Sequence, residues 1–187
     1  MRLIVGISGA SGVVMAQYML KALKQISNCE VHLVITEGAC KNFAYETQVH
    51  LEEVMALADI NHDNKNLAAT ISSGSFKTDG MIIIPCSMKT VAGIAAGYAD
   101  NLLLRAADVC LKENRKVVLV PREMPFSRIH LRNIKEVSDN GCIIIPPLLT
   151  FYNNSNSLEQ QIDHIIGKIL MQFNIDYKKF VPWAGAE

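Results

Sequence analysis

Short apolar runs recur along the chain at intervals that leave room for a helix between them. Each run is continuous and rich in β-branched residues, and none alternates between apolar and polar positions. Runs of this kind are typical of parallel strands that helices cover on both faces. The pattern therefore predicts five strands, at Leu3–Ile7, Val31–Ile35, Met81–Pro85, Val117–Pro121 and Cys142–Pro146.

Helix-like segments fill the intervals between these runs. They cover Val13–Gln25, Ala92–Ala96 continuing toward Asp100–Glu113, then Ile129–Asn140 and Ser157–Phe173. Strands that alternate with helices at this spacing indicate an α/β fold. We expect a Rossmann-like (flavodoxin-like) parallel sheet with helices on both faces, in a single domain.

Two segments do not fit this alternation. His50–Lys77 is irregular, with a polar centre at Asn61–Asn66, and is predicted to be a surface excursion between the second and third strands. The tail, residues 176–187, contains Phe180 and Trp183, and such an apolar segment is expected to dock at an interface. No Pro/Gly-rich linker divides residues 1–187.

Composition narrows the choice of partners and compartment. Half of the 187 residues are hydrophobic, and 18 basic residues balance 18 acidic ones. A neutral chain predicts no nucleic-acid partner and weakly favours self-association. No apolar stretch approaches the roughly 20 residues that span a bilayer. The five cysteines lack CxxC spacing and the five histidines lack metal-ligand spacing, so we expect a cytoplasmic protein with reduced thiols, no metal and no membrane contact.

Ligands of open parallel sheets bind at the carboxyl ends of the strands, so the loops that follow the strands are candidate sites. After the first strand comes Ser8-Gly9-Ala10-Ser11-Gly12. Its glycines let backbone amides approach a ligand, and Ser11 near a helix start favours an anion. A tight turn with Ser11 as the helix N-cap explains the same residues.

Hydroxyl residues also follow the second and third predicted strands. Thr36 begins the loop after the second strand, where an ordinary N-cap is the simpler interpretation. Ser87 and Thr90 lie three residues apart in Pro85-Cys86-Ser87-Met88-Lys89-Thr90. They could form a polar nest for a phosphate or a ring carbonyl, with helix capping as the alternative.

Charged residues mark two further places. Pro121-Arg122-Glu123-Met124-Pro125 sets an acid beside a base just after a buried strand, which suggests a ligand site, with a surface ion pair as the alternative. Arg105, Asp108 and Lys112 share one face of an otherwise apolar helix. Such a charged stripe predicts a cleft or a subunit interface.

Together these loops resemble the flavin prenyltransferase family of the UbiX type, over nearly the whole chain and in family order. The matching stretches are Gly6–Gly12, Ser73–Phe76, Pro85–Thr90, Arg105–Val109, Leu111–Glu113, Pro121–Pro125 and Ile129–Leu131. The resemblance implies an enzyme that joins the five-carbon unit of dimethylallyl monophosphate to N5 and C6 of reduced FMN. It also implies a homododecamer with active sites where subunits meet, and a UbiD-type decarboxylase that receives the prenylated FMN.

The resemblance further implies roles for individual residues. The positions that match FMN contacts are Gly9, Ala10, Ser11, Thr36, Ser87, Met88, Lys89, Thr90 and Arg122. Those that match the prenyl-phosphate site are Tyr152, Lys168, Lys112 and Arg105. The catalytic candidates are Glu123, Ser11 and Lys112, with Glu123 matching the catalytic glutamate.

This chain departs from the family pattern at two places. Lys168 stands where the family usually has arginine, which keeps the charge but loses the two-pronged guanidinium. Many relatives carry a tryptophan before Ser73, whereas the only tryptophan here is Trp183. Because aromatic faces stabilise allylic cations, the prenyl pocket would depend on the flavin, with Tyr152 and Trp183 as further candidates.

Two other functions are compatible with the fold. An FMN-dependent cysteine decarboxylase would use a catalytic histidine and an Asn-rich loop after the third strand, where this chain has Pro85–Thr90. A non-catalytic flavin carrier would need no prenyl-phosphate pocket, so Lys112, Arg122 and Glu123 together count against it. The sequence has no acidic Mg²⁺-binding motif, which favours the monophosphate over the diphosphate as donor.

Overall fold

A single parallel sheet organises the chain. The structure is a computed structural model that describes residues 1–183 and 185, and these contain six strands. All neighbouring strands are parallel, in the order β3-β2-β1-β4-β5-β6, as in doubly wound nucleotide-binding folds. The strands are β1 Arg2–Ile7, β2 Glu30–Ile35, β3 Ile60–His62, β4 Gly80–Cys86, β5 Lys116–Pro121 and β6 Ile143–Ile144. The predicted Rossmann-like sheet is confirmed.

Seven α-helices connect these strands within the described residues. They are α1 Val14–Lys24, α2 Glu37–Glu46, α3 Leu51–Met55, α4 Met88–Ala95, α5 Leu102–Lys112, α6 Arg128–Asp139 and α7 Leu158–Met171. Five of them begin after a residue whose side chain accepts a hydrogen bond from the first helical turn, which satisfies a backbone donor that the helix leaves free. These N-cap residues are Thr36, Ser87, Asn101, Ser127 and Ser157.

The structure departs from the predicted elements mainly in the middle of the chain. The prediction that His50–Lys77 is only a surface excursion was wrong, because Ile60–His62 pairs with β2 as the edge strand of the sheet. Helices α2 and α3 were not predicted. The fifth predicted strand is present but is reduced to the two residues Ile143 and Ile144.

The hydrophobic core lies on both faces of the sheet. Side chains that alternate along β1 point to opposite sides: Leu3, Val5 and Ile7 pack with α1 and α7, whereas Ile4 packs with α4 and α5. Alternation of this kind explains why the runs are apolar at every position. The predicted coverage of both faces is therefore correct.

This packing leaves one edge of the sheet for loops that bind ligands. Since the strands run in the same direction, their carboxyl ends meet at that edge, with the N-cap residues Thr36 and Ser87. None of the described helices is both long and apolar enough to cross a membrane.

Candidate active site

A cleft opens at the carboxyl edge of the sheet, where β1 to β4 end. Its volume is about 720 Å³, within the roughly 300–1,000 Å³ of pockets for cofactors and small ligands. Four loops and the start of α5 line it. The lining residues are Ser8, Gly9, Ile35, Thr36, Glu37, Gly38, Cys40, Lys41, Asp63, Asn64, Lys65, Ser87, Lys89, Thr90, Asn101 and Leu104.

A network of hydroxyl groups fixes one wall of this cleft. The buried Ser8 Oγ accepts a hydrogen bond from the Ser87 backbone N–H at 2.7 Å and donates to the Pro85 carbonyl at 3.1 Å. Ser87 Oγ in turn accepts from the Thr90 N–H at 3.3 Å and lies 3.1 Å from Thr90 Oγ1. Ser87 Oγ therefore caps α4, as the capping interpretation predicts, and Ser87 and Thr90 both line the cleft.

Positive charge is concentrated around the cleft. Helices α2, α4 and α5 all begin there, at Thr36, Ser87 and Asn101, and a helix N-terminus attracts anions. Three lysines line the cleft, Lys41, Lys65 and Lys89, against the two carboxylates Glu37 and Asp63, and Lys41 pairs with Glu37. A phosphate group would find both backbone donors and cations here.

Backbone forms another part of the lining because two glycines touch. A Cβ atom added to Gly9 would lie 3.1 Å from Gly38 Cα, and one added to Gly38 would lie 3.3 Å from Gly9 Cα. The loops after β1 and β2 can approach this closely only without side chains. Peptide groups are thereby left open to a ligand, as the glycine pattern of the first loop predicts.

Ser11 does not cap a helix. Helix α1 begins at Val14, after Val13 as a cap residue without a side-chain hydrogen bond, so the capping interpretation was wrong. Ser11 is half-buried and Ala10 is buried; both lie in the turn after Gly9 but outside the cleft lining. The Gly12 N–H donates to Glu46 Oε2 at 2.7 Å, which ties this turn to α2.

Arg122 and Glu123 are exposed beside the cleft. The Arg122 backbone N–H donates to the Cys86 carbonyl at 3.1 Å, which holds the end of β5 next to Ser87. Glu123 Oε1 accepts a hydrogen bond from the Met124 N–H at 3.1 Å. Among the described residues no ion pair joins the two side chains, so the alternative of a surface ion pair was wrong.

A second group of predicted residues packs around α7, which carries His164 and Lys168. The Tyr152 hydroxyl lies 3.3 Å from His164 Nε2, and its ring contacts Trp183 with the centroids 5.5 Å apart. Lys168 Nζ lies 5.6 Å from the centroid of Phe180, which itself packs on His164. We call Tyr152, His164, Phe180 and Trp183 the C-terminal aromatic cluster. It brings Tyr152 and Lys168 together, but neither residue lines the cleft.

A third group lies along α5, with Arg105 in its first turn and Lys112 at its end. Lys112 pairs with Glu113, and both pack against Gly74. Arg105 pairs with Asp108 at 2.5 Å and donates through Nε to the Ser72 carbonyl at 3.2 Å. Since α5 begins at the cleft, its 11 residues carry Lys112 about 15 Å away along the helix axis.

Five of the nine predicted FMN positions line the cleft, and the other four do not. The five are Gly9, Thr36, Ser87, Lys89 and Thr90. Met88 places its side chain in the core instead.

Sequence reasoning missed Ser8, Gly38 and the loop Asp63–Lys65. The available signal for this loop was a polar stretch directly after an edge strand. Asn64 fixes the loop to the start of α5, because its backbone and side-chain oxygens accept hydrogen bonds from Leu102 N and Leu103 N at 2.8 and 3.0 Å.

Comparison with known proteins places this architecture in a family. Residues 1–174 match the model of the Flavoprotein family. A probable UbiX-like flavin prenyltransferase of Sedimentibacter hydroxybenzoicus is 67% identical over 187 residues, covering 100% of this chain and 99% of that protein. The chain belongs to the flavin prenyltransferase family.

Solved structures of flavin prenyltransferase relatives have the same fold. The dodecameric FMN-dependent UbiX-like decarboxylase from Escherichia coli O157:H7 superposes with a TM-score of 0.97 at 49% identity, covering 99% of this chain and 100% of that one. AnUbiX (PadA1), solved in complex with FMN and dimethylallyl pyrophosphate, gives a TM-score of 0.96 at 46% identity, covering 100% of this chain and 98% of that one. The resemblance inferred from the loops is confirmed.

Proposed function

We propose that this chain transfers a dimethylallyl group from dimethylallyl monophosphate to reduced FMN. The observation that carries the proposal is the cleft of glycine backbone, paired hydroxyls and three helix N-termini, in a chain whose relative was solved with FMN and dimethylallyl pyrophosphate. The C1–O bond of the donor breaks and inorganic phosphate leaves. The carbon chain becomes bonded to the flavin at two atoms, so the flavin gains a C5H8 unit.

The residues of the cleft fit a flavin mononucleotide. The Gly9–Gly38 contact leaves peptide groups open to a planar ring, and the Ser87 and Thr90 hydroxyls are fixed donors and acceptors. The helix N-termini, with Lys65 and Lys89, suit a phosphate. Reduced FMN, when bound, would supply the nucleophilic atoms N5 and C6.

The departing phosphate needs cations, because negative charge develops on it as the C–O bond breaks. Lys168 and the Tyr152 hydroxyl form one candidate set, and Lys112 with Arg105 forms another. Arg122 is a further candidate, because its backbone is bonded to Cys86, next to the cleft residue Ser87. Neither set lines the cleft of its own chain, so we propose that other copies of the chain bring them to it, as an assembly like that of the dodecameric relative would allow. We propose a homododecamer of this chain.

Proton transfer is assigned to Glu123, with Ser11 orienting the reacting groups. Glu123 is exposed next to the cleft and uses one oxygen on a backbone amide. Its carboxyl group could donate a proton to the phosphate or accept one from the flavin as the ring closes. The product would pass to a UbiD-type decarboxylase, in the cytoplasm.

Anaerobic incubation with reduced FMN and each donor tests the function directly. Mass spectrometry of the released flavin should show the mass of FMN plus C5H8 with dimethylallyl monophosphate, and slower or no addition with the diphosphate. Unmodified flavin with both donors would contradict prenyl transfer. Release of CO2 from a cysteine-ending peptide would instead identify a cysteine decarboxylase.

A further inference from the structure

His164 lies at the centre of the C-terminal aromatic cluster. It is 4% exposed, on the second turn of α7. Nε2 lies 3.3 Å from the Tyr152 hydroxyl, and the Tyr152 ring meets it edge-on at a centroid distance of 5.6 Å. Phe180 covers the imidazole from another side at 5.0 Å. The imidazole and the phenol ring of Tyr152 therefore hold each other in place.

The second nitrogen of this imidazole, Nδ1, has no hydrogen-bond partner in the part of the chain that the structure describes. Nδ1 is buried, and among the described residues no group hydrogen-bonds to it. The neighbouring carboxylate, Asp163, is already bonded to the Tyr177 hydroxyl at 2.6 Å and pairs with Lys179 at 3.5 Å. Among residues 1–183 and 185, Nδ1 is therefore either a bare acceptor or an unsatisfied N–H donor.

Nδ1, unpartnered among the described residues, selects the tautomer that carries its proton on Nε2. An orphaned buried N–H group is rarer in proteins than an under-used acceptor, which favours a bare Nδ1. In that tautomer the Nε2–H donates to the Tyr152 oxygen. The proton of Tyr152 is then free to point away from His164, whereas the other tautomer would use it to satisfy Nε2.

We propose that His164 is a positioning residue that makes Tyr152 a hydrogen-bond donor to the phosphate of the prenyl donor. The inference rests on the proposed function, in which Tyr152 and Lys168 hold that phosphate. The oxygens of a phosphate dianion can only accept hydrogen bonds. If the Tyr152 hydroxyl donated its hydrogen to His164, it would have only lone pairs to direct at the phosphate, and no hydrogen bond would form between them. Donation from His164 also polarises the hydroxyl, since hydrogen bonds in series strengthen one another.

The surroundings of His164 suit this role. Burial, and to a smaller extent the Lys168 ammonium, lower the pKa of His164 below its usual range. The imidazole is then neutral at pH 7, and its tautomer matters. The positive charge for the phosphate comes from Lys168, one turn further along α7.

Substitutions that separate Nε2 from Nδ1 test the proposal. In His164→Gln the amide nitrogen takes the place of Nε2, and in His164→Asn it takes the place of Nδ1. His164→Phe keeps a ring but offers no donor. The measurements are KM for dimethylallyl monophosphate, kcat, FMN affinity and melting temperature, with Tyr152→Phe as the reference.

We expect Tyr152→Phe to raise the donor KM about 10-fold or more, the usual effect of losing a hydrogen bond to a charged group. His164→Phe and His164→Asn should raise the same KM about 3- to 10-fold, with FMN affinity unchanged, and His164→Gln should restore it. His164→Phe should add nothing further in the Tyr152→Phe background, because the two residues act as one unit.

Two outcomes would overturn the inference alone: a wild-type KM in His164→Phe, or an effect that adds fully to that of Tyr152→Phe. A wild-type KM in Tyr152→Phe would instead show that Tyr152 does not bind the phosphate. The inference about His164 would then fail together with that part of the proposed function. Solid-state ¹⁵N NMR of histidine-labelled wild-type protein, assigned with His164→Gln, gives an answer even if His164→Phe does not fold. A protonated Nδ1 would overturn the tautomer.

Discussion

The position of Glu123 decides whether this side chain serves the reaction or the stability of the fold. It is exposed at the end of β5, and its oxygen meets only the backbone of the next residue. An exposed carboxylate held this way contributes little to the stability of the fold. Its place beside Arg122 and the cleft makes more sense if it serves the reaction.

Replacing Glu123 by glutamine should slow prenylation by about 10²–10⁴-fold, the usual range for loss of a general acid or base. The amide keeps the shape and the hydrogen bond to Met124 N but cannot exchange a proton. FMN affinity and melting temperature should stay near wild type. The quantity to measure is the anaerobic single-turnover rate of flavin alkylation with both substrates saturating.

Glu136→Gln is the matched control, because Glu136 is another exposed carboxylate, on the neighbouring helix α6. It should react at the wild-type rate. A wild-type rate in Glu123→Gln as well would remove Glu123 from the catalytic residues and leave phosphate binding as the main source of acceleration.

The variant Ser87→Tyr tests where the flavin binds. Tyrosine at this position would project into the cleft, and FMN should no longer copurify. Ser157→Tyr is the control: Ser157 caps α7 as Ser87 caps α4, and it does not line the cleft. Both variants lose an N-cap, at a cost of about 1 kcal/mol, so only occupancy of the cleft distinguishes them. Equal FMN content in the two would place the flavin elsewhere.

Individual residues were predictable where their chemistry is local. Hydroxyl residues directly after a strand, or in the first turn of the helix that follows it, identified Thr36, Ser87 and Thr90 as residues of the cleft, because a strand end followed by a helix start fixes where they lie. Ser8 was not identified, since its role depends on a hydrogen bond to Ser87, 79 residues away. No sequence spacing reports such a contact.

At the scale of elements, the edge strand β3 is held by a pair of histidines. His32 Nδ1 on β2 lies 2.8 Å from His62 Nε2 on β3, with the rings stacked at 5.1 Å. His32 Nε2 lies 2.7 Å from Glu30, which also accepts two hydrogen bonds from Arg2. Burial, followed by the influence of His32, lowers the pKa of His62.

Acid should therefore weaken the fold near this strand. A pKa below the unfolded value of 6.5 means that His62 stabilises the fold while neutral; this contribution is complete above pH 6.5 and is lost as the pH falls through the folded-state pKa. The Glu30 carboxyl does not interfere, because Arg2 and then His32 hold its pKa at about 2. Its contribution is lost only between pH 4.5 and 2.

His62→Gln should flatten the fall in unfolding free energy between pH 7 and pH 5, as measured by urea denaturation at each pH. Part of the fall should persist, since the pKa of His164 is lowered in the same direction. His50→Gln, at an exposed histidine, should leave the slope unchanged. A slope in His62→Gln equal to that of wild type would show that His62 takes up its proton as easily in the folded chain as in the unfolded one.

Elements were predictable in proportion to their burial. The strands β1, β2, β4 and β5 are buried almost throughout, and their apolar runs mark them clearly. The three residues of β3 are mostly exposed and polar, so the sequence has no apolar run that would predict a strand there. Helix α2 buries only Ala39 and Phe43, which is too weak an apolar stripe to detect.

At the scale of the whole molecule, the exposed apolar side chains indicate an assembly. Several large ones lie in the segments that follow β5 and β6, where a contiguous apolar patch would mark a contact with another protein chain. They are Met124, Ile129, Leu131, Leu148, Leu149, Phe151 and Leu158. The same segments flank Glu123 and Tyr152. Contact between copies would therefore cover apolar surface and build the active site at once.

One experiment decides whether Lys112 and Lys168 reach the site from different copies. Lys112→Met and Lys168→Met should each be nearly inactive as pure proteins, because each removes a cation that we propose binds the leaving phosphate. Equal co-expression gives mixed oligomers. If the two lysines of a site come from different chains, about one quarter of the sites will contain both and regain activity. If they come from one chain, no site will contain both lysines, and the mixture will show only the average activity of the two pure variants.

Light scattering on the same samples checks that both variants assemble like wild type. Since one chain holds Lys112 at the end of α5 that points away from the cleft, we expect recovery to about one quarter of the wild-type rate.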